Sequence, residues 1–156
     1  EILTGEDVVS LKDGELKEVA TAENTYKAMA VIIASGLHPR TLNIPGEREF
    51  VGRGVSYCAT CDGAFFTGKK IIVVGGGDSA IDEAIFLTRF AEKVTIVHRR
   101  DELRAAKNLQ EKALAHPKID FMWSSELRGI YGDNMVQKVV VLDKKAQKER
   151  EVSEFL

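Results

Sequence analysis

Neither a dominant charge nor a long apolar stretch is present in this 156-residue sequence. Its formal net charge of -2 provides no strong electrostatic field for nucleic acid. The longest apolar stretches, AMAVIIA and KIIVVGGG, are well short of the roughly 20 residues that cross a bilayer, and no signal peptide opens the chain. We therefore expect a cytoplasmic protein that binds neither nucleic acid nor membrane. Because the first residue is not Met, we also expect a piece of a longer protein.

Cysteine is scarce: the chain has two, Cys58 and Cys61, separated by two residues. This spacing can bring the two Cα atoms within disulfide range, but so small a loop adds little stability. In a reducing cytoplasm such a pair more often carries out redox chemistry. A zinc site would need four ligands, and the histidines stand at no recognisable ligand spacing: His38, His98 and His116. Zinc binding and a pair of inert, buried thiols are the alternatives.

An acidic residue, Asp62, directly follows the second cysteine. A carboxyl group held beside a dithiol can carry the protons that move when a disulfide opens and closes. The alternative is that Asp62 caps the turn that contains Gly63. The sequence supports both roles equally.

Strands and helices alternate from Lys69 onward. KKIIVVGGG, KVTIV and KIDFMW read as strands, whereas DSAIDEAIFLTRFA and DELRAAKNLQEKALAH read as helices. This order predicts an α/β fold with a Rossmann-like, doubly wound parallel sheet. The sequence that follows predicts an antiparallel β-meander, with turns at Gly132-Asp133 and near Lys144. The inner face of the first helix is predicted to carry Ile81, Ala84, Ile85 and Thr88.

The sequence before Lys69 is less regular. DVVSLKDGELKEVATA predicts a hairpin that turns at Asp13-Gly14. The apolar run YKAMAVIIASG predicts a strand that is buried on both faces and closed by Gly36. LHPRTLNIPGEREFVGRG contains two of the three prolines, so we expect an irregular segment and a domain boundary there.

A glycine-rich turn follows the first of the alternating strands. It fits the dinucleotide fingerprint Gly75-x-Gly77-x-x-Ala80, with alanine in the last place. Gly75 allows the tight turn, Gly77 lets a pyrophosphate approach the backbone, and Ala80 lets the helix pack closely on the strand. The free N–H groups from Asp78 to Ala80 would then face the phosphates. The alternative is a glycine-rich turn without a ligand.

Basic residues follow the next strand, where the cofactor's ribose is expected. An acidic residue there favours NAD, whereas cations favour NADP. The strand KVTIV is followed directly by His98, Arg99 and Arg100, and then by Arg104. Guanidinium groups suit a phosphate because each presents a planar fork of donors, so the sequence favours NADPH over NADH. The alternative is that these arginines pair with Asp101 and Glu102.

Three stretches in this order, CATCDG, VVGGGDSAIDEA and VHRRDELRA, resemble the low-molecular-weight thioredoxin reductases of bacteria and archaea. The stretch VIIASGLHPRTLNIPGE also resembles the part of that family which closes the first portion of the flavin domain. The resemblance implies an electron route from NADPH to FAD, then to the Cys58-Cys61 disulfide, and finally to thioredoxin. It implies that Cys61 faces the flavin, that Cys58 attacks thioredoxin and that Asp62 is the acid-base residue.

The resemblance also implies the binding residues and the domain organisation. Residues 1–50 would be a remnant of the FAD-binding domain, 51–153 the NADPH-binding domain, and 154–156 the start of a return to the FAD domain. Full-length relatives are homodimers. The expected pyrophosphate residues are Gly75, Gly77, Asp78, Ser79 and Ala80. Arg99, Arg100 and Arg104 would bind the 2'-phosphate, His98 would lie beside it, and Gly36 would form at most an edge of the flavin site.

One departure from the family concerns FAD. The family binds FAD through an N-terminal GxGxxG unit and a C-terminal Gly-Asp segment, and the sequence contains neither. We therefore expect the chain to bind NADPH without retaining FAD or turning over thioredoxin. Two alternatives stay open: the flavoprotein subunit of an alkyl hydroperoxide reductase, and an NADPH-binding module that performs no thiol chemistry.

Overall fold

The computed structural model describes residues 2–36 and 38–153 and divides into two compact units, Glu1–His38 and Pro39–Leu156. The division falls within the predicted irregular segment, before the expected domain boundary at residue 50. Ile44 and Phe50 explain this position, because both pack into a core cluster of the second unit. The expected return segment 154–156 lies outside the described residues.

The first unit contains an antiparallel sheet of three strands. Its strands are β1 (Val8–Lys12), β2 (Lys17–Thr21) and β3 (Thr25–Ala28), paired in that order. The predicted hairpin is confirmed, and the Gly14 N–H donates to Asp13 Oδ1 at its turn.

The predicted buried strand YKAMAVIIASG is wrong for most of its length. The strand ends at Ala28, and the apolar residues beyond it are exposed, with Ile32 showing 92% of its surface. Within the described residues, β3 pairs with β2 alone, so no further strand covers this segment. An apolar run needs such neighbours to become a buried strand.

The second unit contains a parallel sheet. The short helix α1 (Ala59–Asp62) and a 3-10 turn precede strand β4 (Lys70–Val74), helix α2 (Asp78–Leu87) and strand β5 (Lys93–Val97). Helix α3 (Lys107–Leu114) and strand β6 (Ile119–Met122) follow. The strands pair in parallel in the order β4-β5-β6, which is one half of a doubly wound sheet. The predicted α/β class is confirmed.

The predicted second helix begins later than expected. DELRAAKNLQEKALAH becomes helical only at Lys107, so Arg104 lies on a loop and not one helical turn into a helix. The loop forms because the N–H groups of Arg104 and Ala105 both donate to the carbonyl oxygen of Gly76, at 2.8 and 3.2 Å. These two hydrogen bonds to Gly76 take the place of the hydrogen bonds that the first helical turn would have made.

The antiparallel meander is confirmed and completes the second unit. It consists of β7 (Ser125–Gly132), β8 (Val136–Asp143) and β9 (Lys148–Val152), paired in that order. One apolar cluster surrounds α2 and β5, and a second one includes Phe50, Val97 and the inner faces of β7 and β8. Across residues 2–36 and 38–153, no helix is long and apolar enough to cross a membrane.

Two leucines that end helices allow a matched test of this core. Leu87 ends α2 and is 7% exposed, whereas Leu114 ends α3 and is 58% exposed. We expect Leu87→Ala to lower the free energy of unfolding of the second unit by about 2–5 kcal/mol, because it leaves a cavity. Leu114→Ala should change it by less than about 0.5 kcal/mol. Urea unfolding followed by the fluorescence of Trp123 measures both, and equal effects would contradict the packing of α2.

Candidate functional site

The two cysteines form a disulfide at the start of α1. Their Cα atoms are 5.3 Å apart, and Cys58 is the N-cap residue of the helix, where its Sγ accepts a bond from the Cys61 N–H at 3.2 Å. Cys61 is exposed and Cys58 is half-buried, so the pair is not fully buried as the alternative prediction required. In the part of the chain that the structure describes, no cluster of three His, Cys, Asp or Glu side chains could hold a metal ion.

Asp62 is held beside the disulfide by a residue that the sequence analysis did not single out. The Ser56 hydroxyl donates to Asp62 Oδ2 at 2.6 Å and accepts from the Cys58 N–H at 3.1 Å. The predicted capping role is not observed, since the Asp62 side chain makes no capping bond to the 3-10 turn that begins at Gly63. A serine two residues before a CxxC pair carries no recognised sequence signal, which is why it was missed.

The disulfide helix is packed against α2. Ala59 is buried in the same apolar cluster as Ile81 of α2. A Cβ on Gly63 would lie 3.1 Å from Leu87 Cδ2 and 3.3 Å from the Phe90 ring, so the chain passes closely over the end of α2. The position of the disulfide is therefore set by the helix that follows the glycine turn.

The glycine turn has the predicted form, with one addition. Gly75 has φ +149°, and a Cβ there would lie 2.6 Å from the Cβ of Ala80, so this pair permits the close approach of turn and helix. Gly77 is the N-cap of α2, and no side chain caps the helix. Gly76 was not assigned a role from the sequence, yet a Cβ there would lie 2.4 Å from Cε1 of His98. The middle glycine makes room for an imidazole ring.

His98 is the first residue of the arginine loop, which spans residues 98–106, and its ring is buried. It is 5% exposed, and its Nε2–H donates to the Glu102 carbonyl oxygen at 3.1 Å. Burial lowers the pKa of His98, the bond to Glu102 opposes this, and the neighbouring Arg100, Arg104 and Arg99 lower the pKa further. The ring is therefore neutral at pH 7, and the structure gives it a part in holding the loop against Gly76.

The three arginines of this loop are exposed and do not follow the pairing alternative. Among the described residues, no salt bridge joins Arg99, Arg100 or Arg104 to a carboxylate. Asp101 turns to other partners: it lies 2.9 Å from Lys145 Nζ and accepts a bond from the Ser124 hydroxyl. The Ser124 bond, followed by Lys145, lowers the pKa of Asp101 and keeps it ionised.

Two further predicted residues lie beside the glycine turn. The Arg104 side chain reaches Gly77, with Nη2 4.0 Å from the position of a Cβ there. The Asp78 side chain is directed to the arginine loop, where Oδ1 accepts from the Ala106 N–H at 2.7 Å. Asp78 thus fixes the loop to the first turn of α2, which is a structural task that the sequence did not indicate.

A cavity of about 410 Å³ lies within the second unit and borders both features. Its lining includes Cys58 and Ala59 from the disulfide helix and Ser79 and Ala80 from α2. Gly36, the one predicted site residue in the first unit, has φ +77° and no heavy atom within 4 Å of a Cβ position. The structure therefore gathers the predicted cysteine and nucleotide residues in one unit and leaves Gly36 in the other.

Adjacent glycines of the turn should respond differently to the same added methyl group. We expect Gly76→Ala to lower the free energy of unfolding by about 1–3 kcal/mol, because the methyl group displaces the buried ring of His98. Gly77→Ala meets no atom closer than 4.0 Å, so its effect should stay within about 1 kcal/mol. Urea unfolding monitored at Trp123 measures both. A Gly77 variant as unstable as the Gly76 variant would contradict the geometry of this turn.

The comparisons with known proteins agree with this arrangement. The sequence profile described as pyridine nucleotide-disulphide oxidoreductase matches residues 1–153. The chain is 56% identical over 128 residues to a thioredoxin reductase of Peptoclostridium acidaminophilum, which covers 82% of this chain and 41% of that relative. It is 52% identical over 139 residues to a thioredoxin reductase of Bacillus subtilis (strain 168), which covers 88% of this chain and 44% of that relative.

A solved structure gives the same result. The crystal structure of Lactococcus lactis thioredoxin reductase in the FR conformation superposes with a TM-score of 0.78 at 45% identity, covering 96% of this chain and 50% of that chain. The chain thus spans less than half the length of the two curated relatives named above. Because the family profile covers nearly the whole sequence, the chain belongs to the pyridine nucleotide-disulphide oxidoreductase family.

Proposed function

We propose that this chain is the part of an NADPH-dependent thioredoxin-disulfide reductase that binds NADPH and carries the redox-active disulfide. One observation carries the proposal. The Cys58–Cys61 helix packs on α2, and the same α2 begins at the glycine turn that lies against the arginine loop. A nucleotide site and a reversible disulfide on one folded unit are what such a reductase requires.

Two features of this unit suit NADPH: the backbone N–H groups at the start of α2 and the positive charge of the arginine loop. No side chain caps α2, which leaves its first N–H groups to a phosphate. The three loop arginines have no carboxylate partner within the described residues, so their donors are available to a second phosphate. NADPH supplies a hydride when bound. The chain's own contribution is to hold the pyrophosphate at Gly75, Gly77 and the start of α2, and the 2'-phosphate at the arginines.

The two sulfurs are proposed to act in different steps. Cys61 is exposed, which leaves it open to an electron donor, and the resemblance assigns it to the flavin side. Cys58 is half-buried in the disulfide and would become the thiolate that attacks thioredoxin once the bond opens. Asp62 directly follows Cys61 and ends the helix that Cys58 caps, and it would exchange the proton that this step requires.

FAD does not fit the residues described here. The sequence contains one glycine fingerprint, and that turn is assigned to NADPH. Gly36 stands in the other unit with open space around it. We therefore derive no step through a flavin. The FAD-domain origin of residues 1–50, the homodimer and the thioredoxin partner are parts of the proposal that concern the longer protein.

Removing a loop arginine should reduce affinity for NADPH and leave affinity for NADH unchanged. Because charge-assisted bonds to phosphate are strong, we expect Arg99→Ala or Arg100→Ala to weaken NADPH binding by about 10- to 100-fold. Arg150→Ala, an exposed arginine on β9, is the control and should change neither affinity. Calorimetric titration with both cofactors measures this. Equal affinity of the unaltered chain for NADPH and NADH would contradict the 2'-phosphate assignment.

The disulfide should open reversibly under mild reduction. The structure has no free cysteine among the described residues, and the sequence has two cysteines, so a colorimetric thiol count should rise from none to two. The variant Cys58→Ser should show one thiol before and after treatment. A pair that resists a small dithiol in the folded chain would favour a nucleotide-binding module without thiol chemistry.

A further inference from the structure

The Ser56 hydroxyl joins the candidate acid-base residue to the backbone of the first cysteine. It lies 2.6 Å from Asp62 Oδ2 and 3.1 Å from the backbone nitrogen of Cys58. A hydroxyl has one hydrogen to donate, and its contact with the Cys58 carbonyl oxygen is longer, at 3.4 Å. The hydrogen therefore goes to the carboxylate, which forms the stronger, charge-assisted bond.

These contacts connect the start of the disulfide helix to its end. The Asp62 N–H donates to the Cys58 carbonyl oxygen at 3.1 Å, so both backbone and side chain of Asp62 are fixed to the segment from Ser56 to Cys58. Ser56 and Asp62 are both half-buried, which strengthens the bond between them. Among residues 2–36 and 38–153, no hydrogen-bond donor reaches the second carboxylate oxygen, Oδ1.

We propose that Ser56 is a positioning residue for Asp62. Its hydroxyl holds Oδ2 and so fixes the carboxyl plane, which leaves Oδ1 for the proton that moves when the disulfide opens. This inference rests on the proposed thiol-disulfide function and adds to it a residue outside the CxxCD motif. The hydroxyl does not itself touch the reacting sulfurs in this role.

An external dithiol can serve as the reductant. Its first thiol passes its proton to the Asp62 carboxylate, and the resulting thiolate attacks one sulfur of the disulfide, which forms a mixed disulfide, breaks the Cys58–Cys61 bond and releases a protein thiolate. That thiolate takes the proton from Asp62, which is again a carboxylate. The second thiol of the reagent then passes its proton to Asp62 and attacks the mixed disulfide, which closes the reagent's own disulfide and releases the other protein sulfur as a thiolate. This second thiolate takes the proton from Asp62, so two electrons and two protons have moved from the reagent to the protein.

The test is the rate at which dithiothreitol reduces the disulfide in the 156-residue chain, followed by quenched alkylation at pH 7. We expect Asp62→Asn to slow this rate by about 100-fold and Ser56→Ala to slow it by about 10-fold. Ser56→Thr keeps the hydroxyl and should stay within about threefold of the unaltered chain. In the Asp62→Asn background, Ser56→Ala should cause no further slowing, because the two changes remove one interaction.

The opposite results overturn the proposal. If Ser56→Ala slows reduction as much in the Asp62→Asn background as alone, its effect does not pass through Asp62. If the Ala variant fails to fold, as judged by Trp123 fluorescence, the isosteric pair Ser56→Thr and Ser56→Val makes the same comparison, and equal rates for that pair overturn the proposal. NADPH affinity should be unchanged in every Ser56 variant. A chain that binds no NADPH but retains the coupling contradicts the proposed function alone.

Discussion

The burial of one face of α2 is the constraint on which both candidate sites depend. Ile81 and Ala84 are fully buried on that face and fix the rotation of the helix against the parallel sheet. Once this rotation is set, Ala59 docks the disulfide helix on the same face, and the glycine turn must lie at the N-terminus of α2. The proposed sites for sulfur chemistry and for phosphate binding therefore share one helix, and a displacement of α2 would move both.

Much of this arrangement is readable from sequence periodicity. The strands β4 to β9 and the helix α2 were predicted because local apolar patterns determine them, and the four residues predicted for the inner face of α2 are buried or half-buried. The glycine fingerprint was also recognised from the sequence, because close local packing requires a small residue at each of its positions. Local patterns succeed where the neighbours that bury a residue belong to the same βαβ unit.

The failures occur where distant contacts decide the structure. The segment Asp101–Ala106 has the composition of a helix, but its N–H groups bond to Gly76, which lies far back in the sequence. The run after Ala28 has the composition of a buried strand, but no described neighbour covers it. Ser56 was missed for a related reason, because its importance comes from a contact with Asp62 and not from a pattern around Ser56 itself.

The arginine loop is folded at an electrostatic cost. Three guanidinium groups project from a short loop, and Asp101 of the same loop is engaged with Ser124 and Lys145. Burial lowers the pKa of His98 most, and these cations lower it further, so the His98 ring carries no additional charge. In the proposed complex, a doubly charged phosphate would relieve the repulsion among the arginines. Because His98 is neutral and Asp101 is bonded to Ser124 and Lys145, the loop keeps a net positive charge that the described residues do not neutralise.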